Sequence, residues 1–215
     1  KRPGWLPLDK PNDRSLHIRP VPRSGGLGIV TAVMMVSLLG GMTEWLWLLV
    51  AIFGLALMSL LDDLNDLPAA VRLGGHLAAA TGFLMCCAPA EWGLLFLGVA
   101  IVSLVWMTNL YNFMDGSDGM AGGMALAGFG AYGLASWMGG DWDLAFFSWV
   151  IMAASAGFLL FNYHPAKIFM GDIGSIPLGF AAGALGFVGV WRGQWPLTFP
   201  LLVFSPFIVD ATATL

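Results

Sequence analysis

Long apolar stretches alternate with short polar breaks along this chain. The apolar runs are roughly 17 to 20 residues long, enough for a helix to cross a hydrocarbon core of about 30 Å. We place eight spans, at residues 24–43, 45–61, 73–89, 93–109, 119–138, 144–161, 175–191 and 196–215. Open strands would leave backbone groups unpaired in lipid, and the alternation typical of barrel strands is absent. The pattern therefore predicts an all-α fold, a polytopic helical bundle in a membrane.

Composition supports the same fold class. The chain is 58% hydrophobic and 10% charged, and its mean hydropathy of +0.80 lies outside the range of soluble domains. No separate soluble domain, long linker or internal repeat is visible, so we predict a single transmembrane catalytic domain over residues 1–215. The chain begins at Lys1 and ends inside an apolar run at Leu215. We therefore expect it to be the middle of a longer protein, truncated at both ends.

The breaks between spans form two alternating sets. One set, at 41–44, 89–91, 139–143 and 192–195, is short and chemically plain, whereas the other holds nearly all the informative polar residues, at 1–23, 62–72, 109–118 and 162–174. Eight of the nine basic residues share the polar side, namely Lys1, Arg2, Lys10, Arg14, Arg19, Arg23, Arg72 and Lys167. Because cytoplasmic loops carry the excess of Lys and Arg, the polar side is predicted to be cytoplasmic.

Asp62 and Asp63 follow the second span and precede Asp66, so three carboxylates approach one membrane surface. Neighbouring residues on a helix point about 100° apart, which predicts different roles for the pair rather than a symmetric dyad. A solvated helix end is the structural alternative. Acids at a helix C-terminus oppose the macrodipole, a cost that a metal ion or another cation would remove.

The segment from Asn109 to Gly119 carries amide or carboxylate side chains at every third position: Asn109, Asn112, Asp115 and Asp118. Side chains at this spacing share a helix face, and Gly116 and Gly119 let the backbone bend close to a ligand. The strip is therefore predicted to bind a polar ligand. Asp118 has an equally good structural interpretation as the N-cap of the following helix.

A third polar segment runs from Asn162 to Ser175. Its glycines permit tight turns, and Ser175 is expected to cap a helix whose free amide groups would face an anion. Asp172 is a hard oxygen ligand, Lys167 is a counter-charge for phosphate, and Phe169 offers a surface for stacking a flat base. The pattern favours a phosphate or metal–phosphate site.

The opening loop is basic and punctuated by prolines, which fix an extended path. Arg14, His17, Arg19 and Arg23 precede Ser24 and a pair of glycines at the start of the first span. Arginines beside a membrane often meet anionic lipid headgroups, and that interpretation remains open for some of them. It does not explain the mixture of proline, histidine and paired glycines.

With these residues in view, the chain resembles the polyprenyl-phosphate N-acetylhexosamine-1-phosphate transferase superfamily, also called glycosyltransferase family 4. The resemblance covers essentially the whole chain and rests on four segments in order, PNDRSLHIRPVPRSGG, LDDLNDL, NLYNFMDGSDGMAGG and NYHPAKIFMGDIGS. The first and third segments resemble the bacterial undecaprenyl-phosphate branch that initiates surface polysaccharides, including lipopolysaccharide O-antigen, more than the peptidoglycan pentapeptide branch.

The resemblance implies a reaction in which a polyprenyl phosphate attacks the sugar-linked phosphate of a UDP-N-acetylhexosamine and UMP leaves. It also implies Mg²⁺, with Mn²⁺ as the substitute ion, and a site on the cytoplasmic face of the bacterial inner membrane. A homodimer is left open, and nucleic acid has no role. The resemblance places the diphosphate near Asn112, Asp115 and Asp118, and the uridine near Asn162 and Phe169.

We assign the candidate residues accordingly. The catalytic candidates are Asp62, Asp63, Asp115 and Asp172, of which Asp63 and Asp172 are the predicted metal ligands. The substrate-binding candidates are Asn109, Asn112, Asp118, Asn162, Lys167, Phe169, Arg14, His17, Arg19, Arg23 and Arg72.

Some residues stay outside this assignment. His76 stands where members of the family often have glutamine, so no role is carried onto it, and Asp210 lies in an apolar span where an acid is costly. The competing class is a cation transporter or channel, whose acids should lie at mid-depth on several helices. Nothing in these residues identifies the N-acetylated sugar.

Overall fold

A computed structural model of the chain describes residues 8–9 and 20–214. Two short strands, β1 (Leu8–Asp9) and β2 (Val21–Pro22), pair antiparallel. Nine α-helices follow in the described part: α1 (Gly25–Leu39), α2 (Leu46–Asn65), α3 (Ala69–Cys87), α4 (Leu94–Phe113), α5 (Met120–Met138), α6 (Trp142–Asn162), α7 (Asp172–Trp191), α8 (Thr198–Val203) and α9 (Ser205–Thr214). A single 3₁₀ turn, Thr43–Trp45, leads into α2.

The predicted all-α membrane fold is confirmed. Within the described residues, five helical segments are long and apolar enough to cross a membrane, at Thr43–Asn65, Ala69–Cys87, Leu94–Phe113, Trp142–Asn162 and Asp172–Trp191. The apolar helix α1 is shorter, at 15 residues. The last predicted span, residues 196–215, is wrong as a single helix, because the helix is interrupted at Phe204 between α8 and α9.

Helix boundaries also differ from the predicted spans near the polar breaks. Helix α2 continues past the acidic pair to Asn65 and ends at Asp66, whose φ of 48° is left-handed. The connection to α3 is therefore only residues 66–68, not 62–72. A span predicted from hydropathy ends at the first charged residue, whereas the helix itself continues until the backbone changes conformation.

Helix α7 forms the centre of the bundle and packs against α4, α2 and α1. Glycines allow its close approaches: a Cβ at Gly179 would lie 2.9 Å from the Met107 carbonyl oxygen on α4. A Cβ at Gly26 would lie 2.3 Å from the Gly174 nitrogen, so α1 and α7 meet backbone to backbone. Because Asp172 is the first residue of α7, this packing fixes a polar segment against the bundle core.

Candidate functional site

The polar segments meet at one end of the bundle. Asp63 near the end of α2, Asp115 after α4 and Asp172 at the start of α7 are close enough to interact electrostatically. The positive charge of Arg23, just before α1, acts on all three carboxylates. Residues that the sequence separates by pairs of spans therefore share one face, as the alternation of breaks predicted.

The two neighbouring acids of α2 have different surroundings, as their 100° offset predicted. Asp62 accepts a hydrogen bond at Oδ1 from the Leu67 backbone N–H at 2.8 Å, and its Oδ2 atom lies 3.1 Å from an Arg72 nitrogen. It thereby closes the turn between α2 and α3. Asp63 is exposed instead and interacts with Asp172. The charge of Asp62 also acts on Asp172, so both members of the pair contribute to the shared cluster, with Asp62 additionally held by Leu67 and Arg72.

Asp115 follows the C-terminus of α4 and faces the loop before α7. Removal from water raises its pKa to about 7, and the nearby Asp172 carboxylate contributes to the rise. A hydrogen bond from the Gly171 backbone and the charge of Arg23 oppose this rise in pKa. Gly171 has a left-handed φ of 71°, which glycine adopts without a steric penalty. The turn thus presents a backbone N–H to the carboxylate.

Helix α7 begins at Asp172, three residues earlier than predicted, with Gly171 at the N-cap position. The expected Ser175 cap is therefore wrong: Ser175 lies inside the helix and its hydroxyl donates to the Asn112 side-chain oxygen on α4. The side chain of Asn112 also hydrogen-bonds Asp172. Instead of a free helix N-terminus for an anion, the chain supplies its own carboxylate in the first turn, where the helix dipole favours a negative charge.

Asp118 is not the N-cap of α5, a position that Gly119 occupies. Its Oδ2 atom accepts from the Ala166 backbone N–H at 3.0 Å and lies 3.0 Å from His164 Nδ1. Asp118 therefore joins the loop after α4 to the loop after α6. His164 was not among the predicted site residues, although its place in the third polar segment was a signal for it.

Asn162 connects the same two loops from the inside of the protein. It is 3% exposed, its Oδ1 atom accepts from the Gly119 N–H, and its Nδ2 atom donates to the Ile168 carbonyl, both at 2.9 Å. Both ends of the amide are used within the chain. The predicted contact of Asn162 with uridine is untested, and the structure shows it holding the loops that border the site.

The basic and aromatic candidates have varied positions. Lys167 is exposed, and Phe169 is partly buried with its backbone paired to Pro22 and Gly25. Arg72 is engaged with Asp62. Arg14, His17 and Arg19 lie outside the described residues. Asn109 lies on α4 one turn before Asn112, and Asp210 is exposed on α9.

The carboxylates of Asp63, Asp115 and Asp172 fit a hard divalent cation that is bound together with substrate. Among the residues that the structure describes, no group of three or more His, Cys, Asp or Glu side chains is arranged to hold a metal ion by itself. Mg²⁺, however, is usually bound by one or two carboxylates together with substrate phosphates and waters. Asp63 and Asp115, each repelled by Asp172, match that mode better than an all-protein cage.

Comparison with known proteins identifies the family. A family model described as "Glycosyl transferase family 4" matches residues 45–190, which is more than half of the chain. The chain belongs to glycosyl transferase family 4. The matched residues include Asp63, Asp115 and Asp172.

Two curated relatives extend the comparison. The chain is 31% identical to a Bacillus subtilis protein named "Probable undecaprenyl-phosphate N-acetylglucosaminyl 1-phosphate transferase", in an alignment 222 positions long that covers 95% of the chain. It is 32% identical over 193 residues, 76% of its length, to a phospho-N-acetylmuramoyl-pentapeptide-transferase of Shouchella clausii. The chain spans 62% and 59% of these two relatives. Its apolar helices and its family together make it an integral membrane protein.

Proposed function

We propose that this chain is the membrane-embedded part of a transferase that moves N-acetylhexosamine 1-phosphate from a UDP-sugar to undecaprenyl phosphate and releases UMP. One observation carries the proposal. Carboxylates from three separate elements, Asp63, Asp115 and Asp172, interact at one end of a membrane bundle in a chain of this family. The names of the relatives in Bacillus subtilis and Shouchella clausii support the reaction class.

The chemistry explains why such a site is needed. An oxygen of the lipid phosphate bonds to the sugar-linked phosphorus, while the bond from that phosphorus to the bridging oxygen breaks and UMP leaves with the electron pair. Several negative charges approach each other, so neutralisation and alignment dominate the barrier. When bound, Mg²⁺ would supply positive charge to the diphosphate. Arg23 and the exposed Lys167 supply further positive charge from the protein at the same end.

We assign the cation to Asp63 and Asp172, which interact across the ends of two different helices, because the carboxylate of Asp62 is already bonded to Leu67 and Arg72 whereas Asp63 is exposed. Asp115 borders this pair and is anchored by Gly171. A phosphate monoester has a second pKa near 6, so most of the lipid phosphate is already ionised at pH 7 and a general base gains little. Asp63 therefore acts by positioning the cation, and Asp62 by holding Arg72 and the turn before α3.

An apolar cavity provides a place for part of a hydrocarbon chain. Its volume is about 180 Å³, and it lies between α4, α7, α8 and α9. It is lined by Phe96, Met107, Phe187 and Leu201 among others. On α4 this cavity ends at Met107, about 9 Å before the end of the helix at Phe113 at 1.5 Å per residue, and Asp115 lies beyond that end. The cavity is therefore separate from the acids, and its lining suits a prenyl chain rather than a nucleotide.

The orientation follows from the basic residues. The sequence pattern assigns eight of the nine basic residues to the side that carries the acidic segments, which supports a site on the cytoplasmic face of the bacterial inner membrane, where UDP-sugars are available. The printed name of the Bacillus subtilis protein, aligned over 95% of the chain, supports undecaprenyl phosphate as the acceptor.

Membranes holding the protein test the proposal directly. They are incubated with undecaprenyl phosphate, Mg²⁺ and radiolabelled UDP-N-acetylglucosamine or UDP-N-acetylgalactosamine. We expect label to enter lipid with equimolar UMP, and Asp63→Asn and Asp172→Asn each to lower the rate at least 100-fold, on the order expected for lost electrostatic stabilisation. Asp143→Asn, the same exchange at an exposed position in the first turn of α6, is the control. Cation flux without lipid labelling would instead identify a transporter.

A further inference from the structure

His76 is a buried polar residue to which the proposed reaction gives no part. It lies on α3, is 4% exposed, and comes one helical turn after Arg72. Arg72 in turn binds Asp62 of the acidic pair. The imidazole is therefore next to the polar end of the bundle but inside its packed part. A buried histidine at this place requires hydrogen-bond partners, because desolvation of a polar ring is otherwise uncompensated.

The partner of His76 is Asn109 on α4. The Asn109 Nδ2 atom lies 3.2 Å from His76 Nδ1 and 2.7 Å from the Val105 carbonyl oxygen. A backbone carbonyl only accepts hydrogen bonds, so the atom beside it must be the amide nitrogen and not the amide oxygen. This nitrogen then donates one hydrogen to Val105 and the other to His76 Nδ1. The histidine is consequently the neutral tautomer with its proton on Nε2.

Both hydrogens of the Asn109 amide are used, which fixes the direction of its carbonyl. The Oδ1 atom makes no hydrogen bond to any residue in the described ranges 8–9 and 20–214, and Asn109 is exposed. Asn109 and Asn112 are three residues apart and share a face of α4. The Asn112 oxygen is already bonded to Ser175. Asn109 Oδ1 is thus the open acceptor of this strip, about 4.5 Å along the helix from Asn112.

Stability alone does not explain the His76 side chain. Its Nε2 atom is buried and has no hydrogen-bond partner within the described part of the chain. A buried donor without a partner loses its hydration without regaining it. An apolar side chain of similar size would avoid that cost, so the benefit of His76 lies in its Nδ1 contact with Asn109.

We propose that His76 is a positioning residue that holds the Asn109 amide so that Oδ1 accepts a hydrogen bond from a hydroxyl or N–H group of the sugar substrate. This inference rests on the proposed transferase function for the identity of the donor. The hydrogen bond between His76 and Asn109 is independent of that function. Glutamine at position 76 offers a carboxamide oxygen as the acceptor and should preserve the arrangement.

The hydrogen bond is tested without any assay of transfer. The chain contains three histidines, so ¹⁵N-histidine NMR of the protein in nanodiscs, with His76→Gln to assign the signal, reports the tautomer of each ring. We expect His76 to carry its proton on Nε2, and Asn109→Leu to shift its Nδ1 resonance. A proton on Nδ1, or no shift in Asn109→Leu, would overturn the proposed bond.

Kinetics test the consequence for substrate binding. In His76→Leu we expect KM for the UDP-sugar to rise about tenfold, the effect of one lost hydrogen bond, with kcat changed less than twofold. His76→Gln should stay within twofold of the wild type. Asn109→Leu should match His76→Leu, and the double variant should be no worse than either, because both remove the same interaction.

The outcomes separate the two proposals. Equal KM values for the Leu and Gln variants at position 76, or multiplicative effects in the double variant, would refute the positioning role. If His76→Leu does not fold, Asn109→Leu alone must still raise KM, and failure to do so refutes the role equally. A well-folded wild type that transfers no sugar phosphate refutes the proposed function and the substrate contact, while the tautomer still decides the bond between His76 and Asn109.

Discussion

Replacing Asn162 with leucine should open the loops that border the acidic cluster. The buried amide supplies one hydrogen bond to the Gly119 N–H and one to the Ile168 carbonyl. Leucine has a similar volume and fills the space, so the lost interactions are those two bonds. Each buried backbone group left unpaired costs about 1–3 kcal/mol, so their sum is about 2–6 kcal/mol.

The cost should fall on the loop after α6 before it falls on the whole bundle. The lower value of about 2 kcal/mol already corresponds to more than a tenfold increase in the open population at 1.4 kcal/mol per factor of ten. Lys167 lies in this loop, and its backbone N–H bonds the Phe161 carbonyl. Trypsin cleavage after Lys167, followed by mass spectrometry of protein in nanodiscs, therefore reports the opening.

We expect cleavage after Lys167 to be at least ten times faster in Asn162→Leu, with a lower thermal midpoint. Asn162→Asp keeps an acceptor for Gly119 but sets a carboxylate oxygen against the Ile168 carbonyl, so it should also speed trypsin cleavage after Lys167. Asn65→Ala, which removes an exposed bond within α2, is the matched control. If the cleavage rate and the thermal midpoint of Asn162→Leu equalled those of the control, Asn162 would not hold the two loops together.

Three further predictions follow from other contacts. Gly26→Ala should abolish folded protein in size-exclusion chromatography, because its Cβ would lie 2.3 Å from the Gly174 nitrogen, whereas Gly28→Ala should fold, because nothing lies within 4 Å of a Cβ there. Asp115→Asn should raise the thermal stability measured in EDTA at pH 8. The pKa of Asp115 is about 7 in the folded protein and 3.8 in the unfolded chain, so ionisation of this carboxyl lowers the stability of the fold as pH rises from about 4 to 7. The variant therefore gains at most about 4 kcal/mol of stability, less where solvent screens the charge. The gain should vanish at pH 3, where the carboxyl is protonated in both states. Arg192→Met should lower the thermal midpoint by removing the pair of bonds to Asp141 at 3.2 Å, while the rate per folded molecule stays within twofold; a greater loss of rate would contradict a purely structural role.

The sequence alone predicted that the acids lie at one face of the membrane. That inference needs only the number of spans between polar breaks, since an even number of crossings returns the chain to the same side. The result survives errors in helix ends, which is why Asp63 and Asp172 meet although α2 is longer than predicted and α7 starts earlier.

The division of labour among the polar residues could not be read in the same way. The amide of Asn162 looks like a ligand in a polar segment, but its partners Gly119 and Ile168 come together only when α5 and α6 pack. Likewise, the bond of Ser175 to Asn112 depends on contact between α4 and α7. Such pairings are 6 to 63 residues apart in sequence, and local pattern carries no information about the longer ones.

The central claim is that Asp63 and Asp172 border one site at one face of the membrane. Cysteines at these two positions, in a background with Cys86 and Cys87 replaced by alanine, are treated in membranes with a bifunctional thiol reagent about 10 Å long. Opposite ends of a 20-residue helix are about 30 Å apart. Trypsin cleavage after Arg72 and Lys167 separates position 63 from both 141 and 172. We expect the fragment that contains position 63 to stay linked to the fragment that contains position 172, whereas the fragments of the 63 and 141 pair should separate. Linkage of the second pair instead of the first would contradict the account.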